Sequence, residues 1–145
     1  MYILIIVAIL LVDQYSKVMA IKHLKGLGLK KISFIELRYV ENRGAAMGLL
    51  KKHPIILKGF TSLLLVGLTV YNYFLIQTTG QSLLIIGVTI IIGGGLGNLI
   101  DRFTRGYVVD FYSVTIKKLP YFNIADFFVI LGSFLLIFSE IQTAF

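Results

Sequence analysis

From Gly59 to Ile100 the chain runs for forty-two residues without a charged side chain. A helix rises about 1.5 Å per residue, so crossing a ~30 Å hydrocarbon core takes about 20 apolar residues. The uncharged stretch therefore holds two crossings, at 55–76 and 83–101, with the polar run Gln77-Thr78-Thr79-Gly80-Gln81-Ser82 as the turn between them. Apolar runs at 2–21 and 122–143 bring the number of spans to four. Hydrophobic residues make up 57% of the chain and charged ones only 14%, with a mean hydropathy of +0.89. A soluble domain carries roughly 25% charged residues, so this chain has too little polar surface to cover a water-soluble globule. The expected fold class is an α-helical integral membrane protein, with residues 1–145 forming a single membrane-embedded domain.

Hydrocarbon offers no water to backbone groups, so each span must satisfy its own N–H and C=O groups as a helix. The small residues Gly93, Gly94, Gly95 and Gly97 would weaken a soluble helix, but in a membrane they let a neighbouring helix approach closely. Residues 2–21 contain Asp13 and Lys17 and have no basic region ahead of them, which reads as a retained span rather than a cleaved leader.

Charge is confined. Residues 22–58 hold nine basic side chains against Glu36 and Glu41, which equals the whole net charge of +7. A basic segment between apolar ones points to anionic lipid headgroups, and no soluble module is present that would carry nucleic acid. Within it, Ile32, Phe34, Ile35, Leu37, Tyr39 and Val40 alternate loosely with polar residues and end in Gly44-Ala45-Ala46. Over 32–48 this pattern predicts one or two short strands and a tight turn on the membrane surface, within a surface segment spanning 22–53. Charge bias taken alone places this segment in the cytoplasm and both termini outside.

Ionisable residues at membrane depth are costly and mark function. Asp13 and Lys17, four apart, share a helix face and are expected to neutralise each other and fix the first helix. Asp101 and Arg105 fit a helix-end anchor, while Asn98 and Arg102 are donors that can face a cleft. Asp110 is expected in the loop after the third span and Asp126 in the first turn of the last. Residues 111–121 give the chain room to return to the same membrane face, so the two carboxylates can meet at one depth. Asp126 then admits two roles. It can sit at N3 of a helix capped by Asn123. It can also share a proton with Asp110, because carboxylates within ~3 Å of each other cannot both ionise. Such a pair hydrolyses a peptide bond by taking a proton from water and giving one to the carbonyl oxygen. The chain has no cysteine, which excludes thiolate chemistry and a disulfide scaffold. His23 and His53 are too few for a His-rich metal site, and no metal or cofactor is expected.

Five motifs in order carry a resemblance. They are Asp13-Gln14-Tyr15-Ser16-Lys17, Asn42-Arg43-Gly44-Ala45-Ala46-Met47-Gly48, Gly97-Asn98-Leu99-Ile100-Asp101-Arg102, Gly106-Tyr107-Val108-Val109-Asp110-Phe111 and Phe122-Asn123-Ile124-Ala125-Asp126. Across essentially the whole chain they resemble the lipoprotein signal peptidases, the bacterial type II signal peptidases, a family of membrane aspartic proteases. The resemblance implies cleavage of prolipoproteins on the N-terminal side of a diacylglyceryl-modified cysteine. By motif position it assigns Asp110 and Asp126 to catalysis. Asn42, Asn98, Arg102 and Asn123 fall to substrate binding, and Asp13, Lys17, Gly44 and Asp101 to support. It further implies a bacterial cytoplasmic membrane, both termini inside, the site near the outer face, and a β-cradle with a short helix or loop that clamps substrate. Membrane lipids and lipid-modified prolipoproteins are the expected partners of a monomer. This orientation opposes the charge bias, but an amphipathic outer segment lying on anionic lipid has its own reason to be basic. Met47 stands where the family carries an aromatic residue, and the sequence ends at Phe145 without the basic tail of relatives.

A small transporter, with Asp13, Lys17 and Asp101 as relay groups, is disfavoured by the lack of an inverted repeat and by polar residues gathered near one surface. A non-enzymatic assembly protein would differ from a protease in not releasing the signal segment of a lipid-modified peptide.

Overall fold

The computed structural model of the chain describes residues 1–45, 49–78, 80–115 and 119–144. Four helices, α1 (Tyr2–Leu24), α2 (Pro54–Thr78), α3 (Ser82–Thr104) and α4 (Ile124–Ala144), are each long and apolar enough to cross a membrane. Their outer sides carry large apolar residues such as Leu63, Val66, Phe134 and Ile137, each more than 60% exposed. Only lipid tolerates such a surface. α1 and α3 extend a few residues beyond the spans expected from hydropathy, and α4 begins only after Asn123.

α3 is the central helix, and its glycines show why. A Cβ on Gly94 would stand 2.5 Å from the Ala125 carbonyl oxygen of α4, one on Gly93 3.0 Å from Ile9 of α1, and one on Gly95 2.6 Å from Leu65 of α2. Three consecutive glycines thus admit three different helices, as the expectation of close approach required. Lower in the bundle, Leu84, Ile85, Val88 and Ile92 of α3 form the buried apolar core with Leu75 of α2.

The surface segment forms an antiparallel sheet in the order β1 (Lys30–Ile32), β2 (Ile35–Asn42), β3 (Val108–Val114). One or two strands were expected in the 22–53 segment, and it holds two, β1 and β2. The third strand was not expected: Asp110 lies in a strand and not in a loop. The β-branched pair Val108-Val109 favours extended backbone, and Asp110 pairs opposite Val40. A further bridge joins Tyr112 and Phe122, with Phe122 N–H donating to Tyr112 O at 2.7 Å and Tyr112 N–H to Phe122 O at 3.1 Å. That bridge delivers the start of α4 to the side of β3. The sheet sits where α1 and α3 end and α2 and α4 begin, opposite the turn between α2 and α3. Met47, and with it part of the expected clamp, lies outside the described residues.

Candidate active site

A charge cluster with no solvent exposure lies below the sheet. Lys17 Nζ is 2.8 Å from Asp13 Oδ2 and 3.3 Å from Asp101 Oδ2, and all three side chains are fully buried. The expected Asp13–Lys17 pair is present. Asp101 does pair with Arg105 as expected, yet it is a buried group and not an interfacial anchor. α3 continues to Thr104, which keeps Asp101 inside the helix and turned toward α1. Both carboxylates reach onward. Asp13 Oδ1 accepts the Ala125 N–H of α4 at 2.9 Å, and Asp101 Oδ2 accepts the Val109 N–H of β3 at 3.0 Å. Gln14 closes the cluster, donating to Asp13 Oδ2, Gly97 O and Asp101 Oδ1 at 3.1, 3.2 and 3.3 Å and accepting from Arg105. Sequence reasoning assigned Gln14 no role, although it stands between Asp13 and Lys17.

A row of amides rises from this cluster. Asn98 Oδ1 accepts from Lys17 Nζ and from Asn123 Nδ2, each at 3.0 Å. Its oxygen is thereby fixed toward the lysine, and its Nδ2 is free to donate to Asp126 Oδ1 at 2.8 Å. Asn123 Nδ2 donates at 2.7 Å to Asp110 Oδ1, and Asn42 Nδ2 at 2.9 Å to Asp110 Oδ2. The last carboxylate oxygen, Asp126 Oδ2, accepts the Asn123 N–H at 3.0 Å, while Asn123 Oδ1 accepts the Asp126 N–H at 3.0 Å. This is a reciprocal capping box at the start of α4. Capping therefore does not separate Asp126 from Asp110 in the hydrogen-bond array. The residue that caps the helix also bridges Asp126 to Asp110.

Arg102 arches over the row, donating to Gly44 O at 3.2 Å and to Asn98 O at 3.3 Å. Its Nε is buried with no partner among the described residues. Gly44 N–H donates to Asn42 Oδ1 at 3.1 Å, so Gly44, in the loop after β2, is tied to the site through both its N–H and its carbonyl. All ten residues singled out in the sequence thus belong to one connected array.

Asp110 is 2% exposed. Burial, and then the negative charge of Asp126, push its carboxyl up to about 6, against hydrogen bonds from Asn42 and Asn123 and the charge of Lys17, which favour the ionised form. A carboxyl in this position holds or gives up a proton close to neutral pH. Tyr112, two residues along β3 and so on the same face as Asp110, is half-buried. Its phenol is raised by burial and by the charges of Asp126 and Asp110, which marks it as a neighbour of the pair. No sequence signal singled it out, because the motif match stops at Phe111.

A family model described as signal peptidase (SPase) II matches residues 5–142. A lipoprotein signal peptidase of Caldanaerobacter subterraneus subsp. tengcongensis is 39% identical over 139 residues, covering 94% of this chain and 92% of that one. A lipoprotein signal peptidase of Clostridium tetani is 41% identical over 147 residues, covering 98% and 93%. A bacterial membrane enzyme solved by the in meso method at 2.3 Å superposes with a TM-score of 0.87 at 29% identity, covering 99% of this chain and 88% of that one.

The buried cluster makes a prediction about folding. Lys17→Met leaves Asp13 and Asp101 buried with Arg105 as their remaining cation. Removing one partner of a buried ion pair costs about 3–5 kcal/mol, so the detergent-solubilised variant should unfold well below the wild-type temperature. Adding Asp13→Asn should recover part of the loss, because Asp101 keeps Arg105. A wild-type unfolding transition in Lys17→Met would show that the cluster does not hold the bundle together.

Proposed function

The chain belongs to the signal peptidase II family, and from that premise we propose that Asp110 and Asp126 are the two catalytic aspartates. The family's reaction is aspartic endopeptidase cleavage that removes signal peptides from prolipoproteins. One observation supports the assignment: Asn123 donates from its side chain to Asp110 and from its backbone to Asp126, so a single residue binds both carboxylates.

The chemistry follows from that arrangement. With one proton on the pair, the ionised carboxylate takes a proton from water as it attacks the scissile carbonyl. The protonated carboxyl gives its proton to the carbonyl oxygen. As the tetrahedral intermediate collapses and its C–N bond breaks, the carboxyl that took the proton from water gives it to the leaving amine, and the other carboxylate recovers a proton from a hydroxyl of the intermediate, so the pair ends with the one proton it began with. Asn42, Asn98 and Asn123 hold the carboxylates through neutral amides. Arg102, tied to Gly44 and Asn98, orders the loop that meets the peptide and keeps its Nε–H available to a substrate carbonyl. Asp13, Lys17 and Asp101 support the array from below.

The substrate is a diacylglyceryl-modified prolipoprotein cut on the N-terminal side of the modified cysteine, with its acyl chains between helices at lipid level. The chain works as a monomer in one peptidase domain, for a single chain supplies every group named. It lies in the bacterial cytoplasmic membrane with both termini inside and the sheet outside, where the basic 22–58 segment rests on anionic headgroups. A reporter fused near Gly80 should therefore read as cytoplasmic, and an extracytoplasmic signal there would reverse the orientation.

Asp110→Asn and Asp126→Asn preserve shape but remove the shared proton. A positioned acid–base group contributes about 10²–10⁴-fold, so each variant should lose at least 10²-fold (roughly the lower bound) in cleavage of a lipid-modified peptide. The double variant should be little worse than either single one, because groups acting as a unit are non-additive. Chelators should leave the rate unchanged. Near-normal cleavage by either Asn variant would remove that residue from catalysis.

The pH profile supplies a second check. The pair carries its proton below the raised value of Asp110 and loses it above, so kcat/KM should fall as pH rises through about 6. The Asn42 hydrogen bond lowers that value, so Asn42→Ala should move the alkaline limb to higher pH. A limb that stays fixed or moves down would mean that Asp110 does not govern it.

A further inference from the structure

A cleft of about 290 Å³ opens beside Asp110 on the sheet side of the site. Asn42 and Asp110 form its inner wall, and Glu41, Arg43, Lys51 and Tyr121 line the rest. These residues come from β2, β3 and the loops leading into α2 and α4, and none from the sides of the helices. Under the proposed reaction, the signal segment and acyl chains upstream of and at the cut are apolar and stay at lipid level. The mature chain downstream is polar and has to leave past the sheet.

The charges on this cleft are unevenly placed, two acids and two bases with Asp110 on the inner wall. Arg43 Nη2 lies 3.2 Å from Glu41 Oε2, so these two cancel. Asp110 is committed to the inner wall by Asn42 and Asn123. Lys51 is exposed and has no carboxylate partner among the described residues. The outer wall therefore carries the charge of Lys51. Resting on the peptidase reading above, we propose that this cleft is the subsite for the first residues downstream of the scissile bond, and that Lys51 makes it favour an acidic side chain there over a basic one.

The test uses three diacylglyceryl-modified peptides that differ only in the residue directly after the modified cysteine: Asp, Asn or Lys. Full-length enzyme in zwitterionic lipid separates the subsite from attraction to an anionic surface. The readout is the Asp-to-Lys ratio of kcat/KM, with the Asn peptide as internal reference for each enzyme. Wild type should favour Asp by about two- to five-fold, the range an exposed ion pair supplies. The preference should shrink at ~0.5 M salt, vanish in Lys51→Gln and reverse in Lys51→Glu. An Asp-to-Lys ratio in Lys51→Glu equal to that of wild type would overturn the proposal, and a ratio of one in wild type would do the same. Failure of wild type to cleave any of the three peptides would instead sink the peptidase reading.

Discussion

One ammonium group, Lys17 Nζ, organises this molecule. It lies at zero exposure in an apolar bundle, where a charge without partners costs far more than a helix contact returns. Two carboxylates and one amide oxygen meet it, from Asp13, Asp101 and Asn98. Each of these has a second obligation. Asp13 holds the first turn of α4 through Ala125, Asp101 holds the entry to β3 through Val109, and Asn98 holds Asp126. A slip of α1 against α3 would therefore strand a charge and release β3 and the start of α4 together. The arrangement specifies register more than it adds stability, the role best attested for buried polar groups.

Between this cluster and the two aspartates proposed to react, Asp110 and Asp126, stand only amides. A guanidinium or ammonium in direct contact would draw a carboxylate well below its ordinary range and leave the pair without a proton. Asn42, Asn98 and Asn123 give each carboxylate oxygen one neutral hydrogen bond, enough to fix its position without committing its charge. Lys17 contributes at one remove: because Asn98 Oδ1 accepts a hydrogen bond from the lysine, its Nδ2 is turned to Asp126. The cation thus determines which way an amide faces, and the amide determines where the carboxylate lies.

Much of this was legible in the sequence, and the rest was hidden for definite reasons. Spans follow from hydropathy, because lipid imposes the same demand on every residue of a helix. The Asp13–Lys17 pair follows from spacing, because both residues share one element. Asp101 was misplaced as an interfacial anchor because its decisive partner, Lys17, comes from another helix, and local spacing offered only Arg105. β3 was taken for a loop because Val108-Val109 is too short a signal without its pairing to β2. Spacing cannot choose between cap and dyad for Asp126, since Asn123 both caps α4 and binds Asp110. Charge bias pointed to an orientation opposite to the one proposed, because it counts basic residues without asking whether they lie on the membrane or cross it.

The position of the site at the junction of helices and sheet has a physical cause under the proposed reaction. A signal segment in hydrocarbon is helical, with every backbone group satisfied internally, and a helical peptide bond is closed to attack. Unwinding it in lipid would leave groups unsatisfied at several kcal/mol each. Cleavage is therefore confined to a place that supplies substitutes. The end of β2 offers Asn42, the loop beyond it carries Gly44 under the hand of Arg102, and the Arg102 Nε–H is buried without a partner among the described residues. The pair sits where an extended peptide is first tolerated on leaving the membrane. The same depth keeps Asp110 dry enough to retain the proton that the reaction spends.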